Sequence, residues 1–516
     1  MKNMPPNSGY EGQLGPQDGP ALPLPEEIIC ILKKESAYEV ISLQQAGQDG
    51  KPDFKLSRFS YGSGSGDDST TITQSLLDDF LIHGLPAHLQ PSSRRRVHVL
   101  VSTHSGTGLG MRFYSAVLAP LLESLGLHDI AVPADEAKRE VGEQQQGSYR
   151  LVVTQDADSV KNFAQQIGNQ RRDARKEGVE HTVVLLSGDG GVVDMLNSIA
   201  STEDDDGTMS PSGESSKSNK VPLLALLPLG TGNALFNSLH KTVKTPPAAS
   251  DLVQGLRTLL RGKAAPLPSF KAVFPEGSRT IAYSEASESA SSTDKPAELE
   301  EHANSVAHLY GVVVASYGFH SQLVWESDTP AYRQHGAARF QMVAQELLKE
   351  SHAYNATVQI ATTTTIAANA TGGTKQEGVV DLRTLDGDRH AYILATLVSN
   401  LEKTFCISPA SQPLDGQLRL VHFGPVDGEK TMEIMMAAYD HGKHVGMRWA
   451  REGDEDEGVG YEDIEELRIT THEEDARWRK VCIDGTIVEI PRDGCMVVRR
   501  EAKHHLRVLV DSSIGS

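Results

Sequence analysis

A chain of 516 residues with a formal net charge of −20 is too long for one ordinary hydrophobic core, and too acidic for a nucleic-acid protein, whose footprint is a basic face. Its four cysteines, Cys30, Cys406, Cys482 and Cys495, form no CxxC pair or metal-ligand spacing, which fits a reducing compartment. With no signal-type apolar core and no run of about 18 apolar residues, the chain is expected to be soluble and cytoplasmic, meeting any lipid by transient peripheral contact with a membrane surface.

Residues 1–25 are rich in Pro and Gly and read as a disordered N-terminus. "EEIICILKKESAYEVISL" has two β-branched runs around a polar break, too little to fold alone, so residues 26–90 are expected to dock as an extension on the core. From Arg96 strands and helices alternate. The short apolar runs "VHVLVS", "YRLVVT", "HTVVLLS" and "VPLLALLPL" are each followed by a helical pattern, as in Phe113, Val117, Leu118, Leu121 and Leu125. That order predicts a mostly parallel α/β nucleotide-binding domain over 91–265, with helices on both faces of the sheet.

In 266–516 helices become rare and β-branched runs dominate: "HLYGVVVAS", "ATVQIATTTTIA", "RHAYILATLVS", "GQLRLVHFG", "KVCIDGTIVEI", "GCMVVRR" and "LRVLV". They predict an antiparallel β-sandwich or open barrel. The hydrophilic stretches 202–220 and 284–305 read as solvated inserts, and "REGDEDEGVGYEDIEE" as an acidic surface loop without metal-ligand spacing.

Three strand-to-helix turns are glycine-rich: "STHSGTGLG", "LSGDGG" and "LPLGTGNALFNSL". Glycines after a buried parallel strand let backbone amides converge, and the following helix adds its N-terminal partial charge, so such turns cradle anions. Three in one sheet point to a nucleotide-phosphate site. Within the second turn stands Asp189, an acid where phosphate would meet amides. It has three readings: a base for an attacking hydroxyl, a partner for Mg²⁺, or a cap on the helix beginning near Val192.

"SGDGGVVDMLNSI" and "LLPLGTGNALFNSL" resemble the nucleotide-binding stretches of the diacylglycerol kinase-like lipid kinases, most closely the sphingosine and ceramide kinases. "YGFHSQLVWESDTPAYRQHGAARF", "ISPASQPLDGQLRLVHFGPV" and "VCIDGTIVEI" are similar to later segments of that family, so the resemblance spans about Arg96 to Val510. It implies ATP and Mg²⁺ as cofactors, a lipid at a membrane surface as partner, and Asp189 as the catalytic carboxylate. It further implies that Ser102, Gly106, Thr154, Gly188, Gly190, Gly230, Thr231, Gly232, Asn233, Arg333, Arg339, Asp484 and Gly485 surround the nucleotide. Gln322, Glu326 and Asp415 fall on the substrate side. Six residues apart on a straight helix, Arg333 and Arg339 would diverge by roughly 240°, so their convergence requires a break near Gly336.

The chain departs from the sphingosine kinase pattern at informative positions. Ser102-Thr103 replaces Asn-Pro, Thr486 replaces a glutamate, and Gln322 and Val324 replace aspartates that would meet an ammonium head. The acceptor implied is the primary hydroxyl of a sphingoid base, ceramide or diacylglycerol; loss of the aspartates makes the neutral lipids more credible, while Glu326 and Asp328 remain nearby as acids to substitute for them. Two alternatives stay open: a catalytically weakened protein that keeps the fold for binding, and an NAD kinase-like enzyme, which shares a Gly-Asp-Gly turn.

Overall fold

The computed structural model describes residues 22–48, 51–62, 72–103, 105–106, 108–130, 147–173, 178–204, 221–241, 249–283, 301–336, 338–364, 379–450 and 456–514. The expected disordered tail up to residue 21, and the insert segments 205–220 and 284–300, lie outside the described residues.

The extension is a small sheet of its own. β1 (Ile28–Lys33), β2 (Ala37–Gln48) and β3 (Lys51–Gly62) form an antiparallel meander, and α1 (Gln74–Phe80) returns the chain to β4 (Leu81–Ile82), parallel to β1. Sequence reading expects only the first two strands. Within the polar "KPDFKLSRFSYG", Phe54 and Tyr61 are buried on opposite faces of the strand, one in the core of the next layer and the other against β1 and α1. Ile29, Cys30, Leu32, Ile41, Leu43 and Phe54 join the core of the next layer, where Phe54 meets Phe113 edge-on at 5.1 Å.

That layer is the parallel sheet. Its segments in chain order are β5 (Arg95–Val101), α2 (Gly110–Phe113), a π turn (Tyr114–Leu118), α3 (Ala119–Ser124), β6 (His128–Asp129), β7 (Ser148–Val153), α4 (Ser159–Asp173), β8 (Glu180–Ser187), α5 (Asp189–Asp204), β9 (Leu223–Pro228), α6 (Ala234–Leu239), α7 (Asp251–Arg261) and β10 (Lys263–Pro266). The period of two along a strand sends alternate residues to opposite faces. In β8, Val183 and Leu185 pack against α4 and α5, while Val184 and Leu186 pack on the side of α2, α3 and α7.

The last strand, Arg507–Val510, corrects one sequence expectation. "LRVLV" was assigned to the sandwich, yet it lies between β9, to which it is parallel, and β10, to which it is antiparallel. Val508 and Val510 enter one apolar layer and Leu509 the other, so both faces of this strand are buried, as in an interior strand of an α/β sheet. An apolar run cannot announce which of two sheets it joins.

Apart from a two-stranded ribbon of Arg448–Ala450 and Asp456–Gly458 and the short strand Arg389–His390, the remaining strands make two antiparallel sheets packed face to face. One runs His308–Gly311, Ser269–Val273, Cys495–Glu501, Glu466–Thr471, Tyr354–Thr364, Val379–Thr384. The other runs Glu301–Ser305, Arg279–Tyr283, Thr486–Glu489, Lys480–Ile483, Val314–Gly318, Tyr392–Thr396, Leu418–Phe423, Gly460–Ile464. Phe270, Tyr317, Val358, Ile393, Leu467 and Val498 fill the space between them.

Two stretches read as loops contain strands: the end of the second insert (Glu301–Ser305) and part of the acidic run (Gly460–Ile464). Their pairing is supplied by Arg279–Tyr283 and Leu418–Phe423, which local composition does not reveal. Four helices also cover the outer face of the second sheet: α8 (Phe319–Ser327), α9 (Pro330–Arg333), α10 (Ala338–Glu350) and α11 (Gly428–Tyr439). Their apolar residues share one cluster with α5 and α6, including Val192, Leu196, Leu235, Phe319, Leu347, Tyr392 and Ile434.

Several histidines are buried in these layers. Nε2 of His98 on β5 lies 3.1 Å from Nδ1 of His181 on β8, and burial first, then His181, Arg150 and Arg96, holds His98 well below the usual imidazole value. Burial likewise takes His320 and His390 down from 6.5 to about 4. These rings are neutral in the folded chain, whereas the unfolded chain takes up protons below 6.5, so stability is full above that value and lost as pH falls toward about 4. Thermal unfolding followed from about pH 7.5 to about 4.5 should show a falling midpoint, with a shallower slope in His390→Gln.

Candidate functional site

The three glycine turns meet at one place. A Cβ on Gly188 would lie 2.9 Å from Cα of Gly230; one on Gly230 would collide with Cα of Gly188, and one on Gly106 with the carbonyl oxygen of Leu229. Only glycine permits backbones to approach this closely. Hydrogen bonds complete the junction: the Gly188 amide donates 2.8 Å to Oγ of Ser105, the Ser102 amide 3.0 Å to the Leu186 carbonyl, and the Leu229 amide 3.2 Å to the Ser187 carbonyl. Gly190, by contrast, has open space around it.

Asp189 opens α5, but its side chain does not cap that helix. Oδ2 accepts 2.7 Å from the Ala234 amide and Oδ1 accepts 3.0 Å from the Leu235 amide, so the carboxylate caps α6 across the junction. Of the three readings open in the sequence, a cap on the helix near Val192 is thereby set aside, because the crossing of the turns gives Asp189 the N-terminus of another helix. Burial raises its pKa, against the two amide bonds that lower it. Each carboxylate oxygen keeps a second lone-pair direction.

Asn233 shapes the third turn. It sits at φ 51°, a left-handed conformation that asparagine tolerates, and its side chain both accepts from the Gly230 amide at 2.9 Å and donates to the Gly230 carbonyl at 3.0 Å. Nδ2 of Asn237 donates 2.9 Å to the Gly232 carbonyl, and Thr231 is exposed beside it. Thr154 is buried and engaged with the first turn: its hydroxyl accepts 3.0 Å from the Thr103 amide, and its carbonyl accepts 3.1 Å from the Thr103 hydroxyl. It therefore braces the turn rather than projecting from it.

A second carboxylate faces the junction. Asp484 and Gly485, at φ 48° and φ 91°, form the turn between Lys480–Ile483 and Thr486–Glu489. Asp484 accepts from the amides of Val312 at 2.6 Å, Val313 at 3.0 Å and Val314 at 2.5 Å, where the run "HLYGVVVAS" breaks and passes from one sandwich sheet to the other. Burial raises its pKa to about 7, the amides oppose this, and the charge of Asp189 adds to it. Asp189 keeps lone pairs that would help hold a magnesium ion carried in largely by phosphate oxygens and water, whereas each oxygen of Asp484 already accepts two backbone amides. Among the described residues no group of three potential metal ligands occurs.

The arginines converge, as the break requires. α9 ends at Arg333, Gly336 takes φ 56°, and α10 begins at Ala338. Both guanidinium groups turn to Asp328: Nη2 of Arg333 is 2.7 Å from Oδ2, and Nη1 of Arg339 is 3.8 Å from Oδ1. Both of these contacts lie within the segment that joins α8 to α10. On the proposed substrate side, Oε1 of Glu326 accepts from Nε2 of buried Gln322 at 2.7 Å and from Nη2 of Arg477 at 2.9 Å. Asp415 closes its own turn by accepting from the Gln412 and Gln417 amides and pairs with Arg419 at 2.7 Å, so its contacts are structural.

Sequence reading missed Ser105, the arginine partner Asp328, and Asp194. Asp194 occupies the acidic position of the family's first motif; burial raises it to about 6, with Lys161 opposing. Its place five residues after Asp189 was the available signal.

Residues 96–263 match the family model for the diacylglycerol kinase catalytic domain. A provisionally assigned diacylglycerol kinase from Bacillus anthracis str. Sterne, known from its crystal structure, is 12% identical, with a TM-score of 0.44 over 82% of this chain and 97% of its own. A diacylglycerol kinase structure from the same source is 12% identical, with a TM-score of 0.40 over 81% of this chain and 98% of its own. A search of curated proteins found no match.

The two kinds of glycine should respond oppositely to a methyl group. Gly230→Ala should lower unfolding stability by about 1–3 kcal/mol and weaken ATP binding, because two backbones must separate. Gly190→Ala, in open space within α5, should be neutral or stabilising by up to about 1 kcal/mol. Denaturant unfolding and nucleotide titration of both variants check this contrast.

Proposed function

We propose that the chain, whose residues 96–263 match the diacylglycerol kinase catalytic domain, is a lipid kinase of that type and transfers the γ-phosphate of ATP to the primary hydroxyl of a lipid with an uncharged head, ceramide or diacylglycerol in preference to a sphingoid base. The observation that carries this reading is the meeting of three glycine turns with Asp189 seated between the second and third. In this reading residues 91–265 with the strand Arg507–Val510 hold ATP, and the sandwich with α8–α11 holds the lipid.

Asp189 takes the proton of the attacking hydroxyl through a lone pair that the α6 amides leave available. Amides of the Gly188 and Gly230 turns face the phosphates, and Arg333 and Arg339 add charge-assisted bonds to their oxygens. Magnesium, when bound with ATP, would supply charge neutralisation for the phosphates, and Asp189 is the carboxylate that would help hold it.

Preference for a neutral head follows from occupancy. Glu326 is engaged by Arg477, and Asp328 by Arg333, so the two acids that were candidates to replace the missing aspartates already have cationic partners. An ammonium entering beside Gln322 and Val324 would displace an arginine to gain a counter-ion. The cavity bounded by Phe319, Leu347, Tyr354, Ala391 and Trp478 measures about 20 Å³, room for one water, so an acyl chain enters by parting α8, α10 and α11. Among the described residues no helix is long and apolar enough to cross a membrane, and in this reading the protein is cytoplasmic and visits the bilayer surface.

A second reading draws on the same bond. Because both oxygens of Asp189 serve α6, the chain could instead bind nucleotide and lipid with weakened transfer. Purified protein given labelled ATP, Mg²⁺ and micelles of sphingosine, ceramide or diacylglycerol, with NAD⁺ as control, separates the readings. Label is expected on ceramide or diacylglycerol; label on NAD⁺ alone, or on no acceptor, would reject the proposal. Asp189→Asn should reduce turnover by about 10²–10⁴ while ATP binding stays within about tenfold. Retained turnover in that variant would remove Asp189 from the base role.

A further inference from the structure

Asp328, a candidate substrate-side acid whose charge is already taken, has two arginines gathered on it. It follows α8, and the chain then turns through α9, the Gly336 break and the first turn of α10. Nε and Nη2 of Arg333 take its two oxygens as a fork, at 3.1 Å and 2.7 Å. Arg339 approaches the same carboxylate from the other side of the break, at 3.8 Å. A guanidinium matches the planar face of a carboxylate in the way it matches two oxygens of a phosphate. Nε of Arg339 is buried and has no hydrogen-bond partner, which leaves a donor that an incoming oxygen would satisfy.

We propose that Asp328 is a positioning residue that assembles Arg333 and Arg339 into one clamp for the phosphates of ATP before the nucleotide arrives. This rests on the reading of the two arginines as phosphate contacts. Two guanidinium groups drawn toward one point repel each other, and each long side chain has many alternative rotamers. A carboxylate between them offsets the repulsion and selects the converged arrangement. The group keeps a net charge of +1, from two arginines and one aspartate, so it still attracts a polyanion. The pair is partly exposed, with side-chain accessibilities of 40% for Asp328 and 31% for Arg333, so it contributes little to global stability and substitution leaves the fold intact. The cap that Asp328 gives α8 runs through its backbone amide, which any substitution except proline preserves.

The test is calorimetric titration of the full chain with Mg·ATP and, separately, with adenosine, which lacks phosphates. Asp328→Asn should weaken ATP binding about tenfold, the lower end of what one hydrogen bond to a charged group contributes, and leave adenosine binding unchanged. Asp328→Glu should restore part of the loss, and in turnover assays KM for ATP should rise while kcat and KM for the lipid hold. Unchanged or tighter ATP binding in Asp328→Asn would overturn the inference, tighter binding meaning that the carboxylate competes with phosphate. Equal losses for ATP and adenosine would also overturn it, as a general structural effect. Arg333→Gln distinguishes the underlying reading: if that variant binds ATP normally, the arginines do not hold phosphate and the premise fails. If it weakens ATP while Asp328→Asn does not, only the inference fails.

Discussion

The carboxylate of Asp189, shared between the amides of Ala234 and Leu235, is the contact on which the rest of the arrangement depends. It joins the start of α5 to the start of α6 at the point where Gly188 and Gly230 already touch through bare backbone. Two helix N-termini are thereby directed to one spot, and their partial positive charges add there. The same placement sets the direction in which α5 and α6 leave the sheet. Apolar residues of α5 and α6 belong to the same cluster as those of α8, α10 and α11, so Ala234 and Leu235, whose amides bind Asp189, are also part of the central core.

Asp484 plays the corresponding part for the second half of the chain. Three successive amides, Val312 to Val314, lose their ladder partners where the strand crosses from one sheet to the other, and a single buried carboxylate accepts them. A buried charge without such donors would be costly; with them it becomes a joint between sheets. Because Asp484 also senses the charge of Asp189, the joint of the sandwich and the junction of the glycine turns are electrostatically coupled. The strand Arg507–Val510 adds a mechanical link by returning from the sandwich to the parallel sheet.

Local chemistry carried much of this into the sequence. Glycines placed directly after apolar runs announced the three turns, and Gly336 announced the break that lets Arg333 and Arg339 converge. Asn233 was legible as a turn residue, although its double bond to Gly230 was not. What escaped were partners distant along the chain. Asp189 serves the amides of Ala234 and Leu235, and Thr154 braces the turn at Thr103, contacts that spacing along the chain does not announce. Strand β3 and Glu301–Ser305 were hidden because half of a strand's residues are polar whenever one face meets solvent.

The amino-acid sequence by itself determined the alternation of strand and helix, the location of the glycine turns, the identity of the acid among them and the absence of aspartates at Gln322 and Val324. These are properties of neighbouring residues, and backbone preference and short-range periodicity express them directly. Tertiary structure alone decided which helix Asp189 caps, which sheet receives the final strand, and that Glu326 and Asp328 are already paired. Each of those outcomes is a choice among chemically equivalent partners far apart in the chain, and only the packing that brings one of them within hydrogen-bond distance makes the choice.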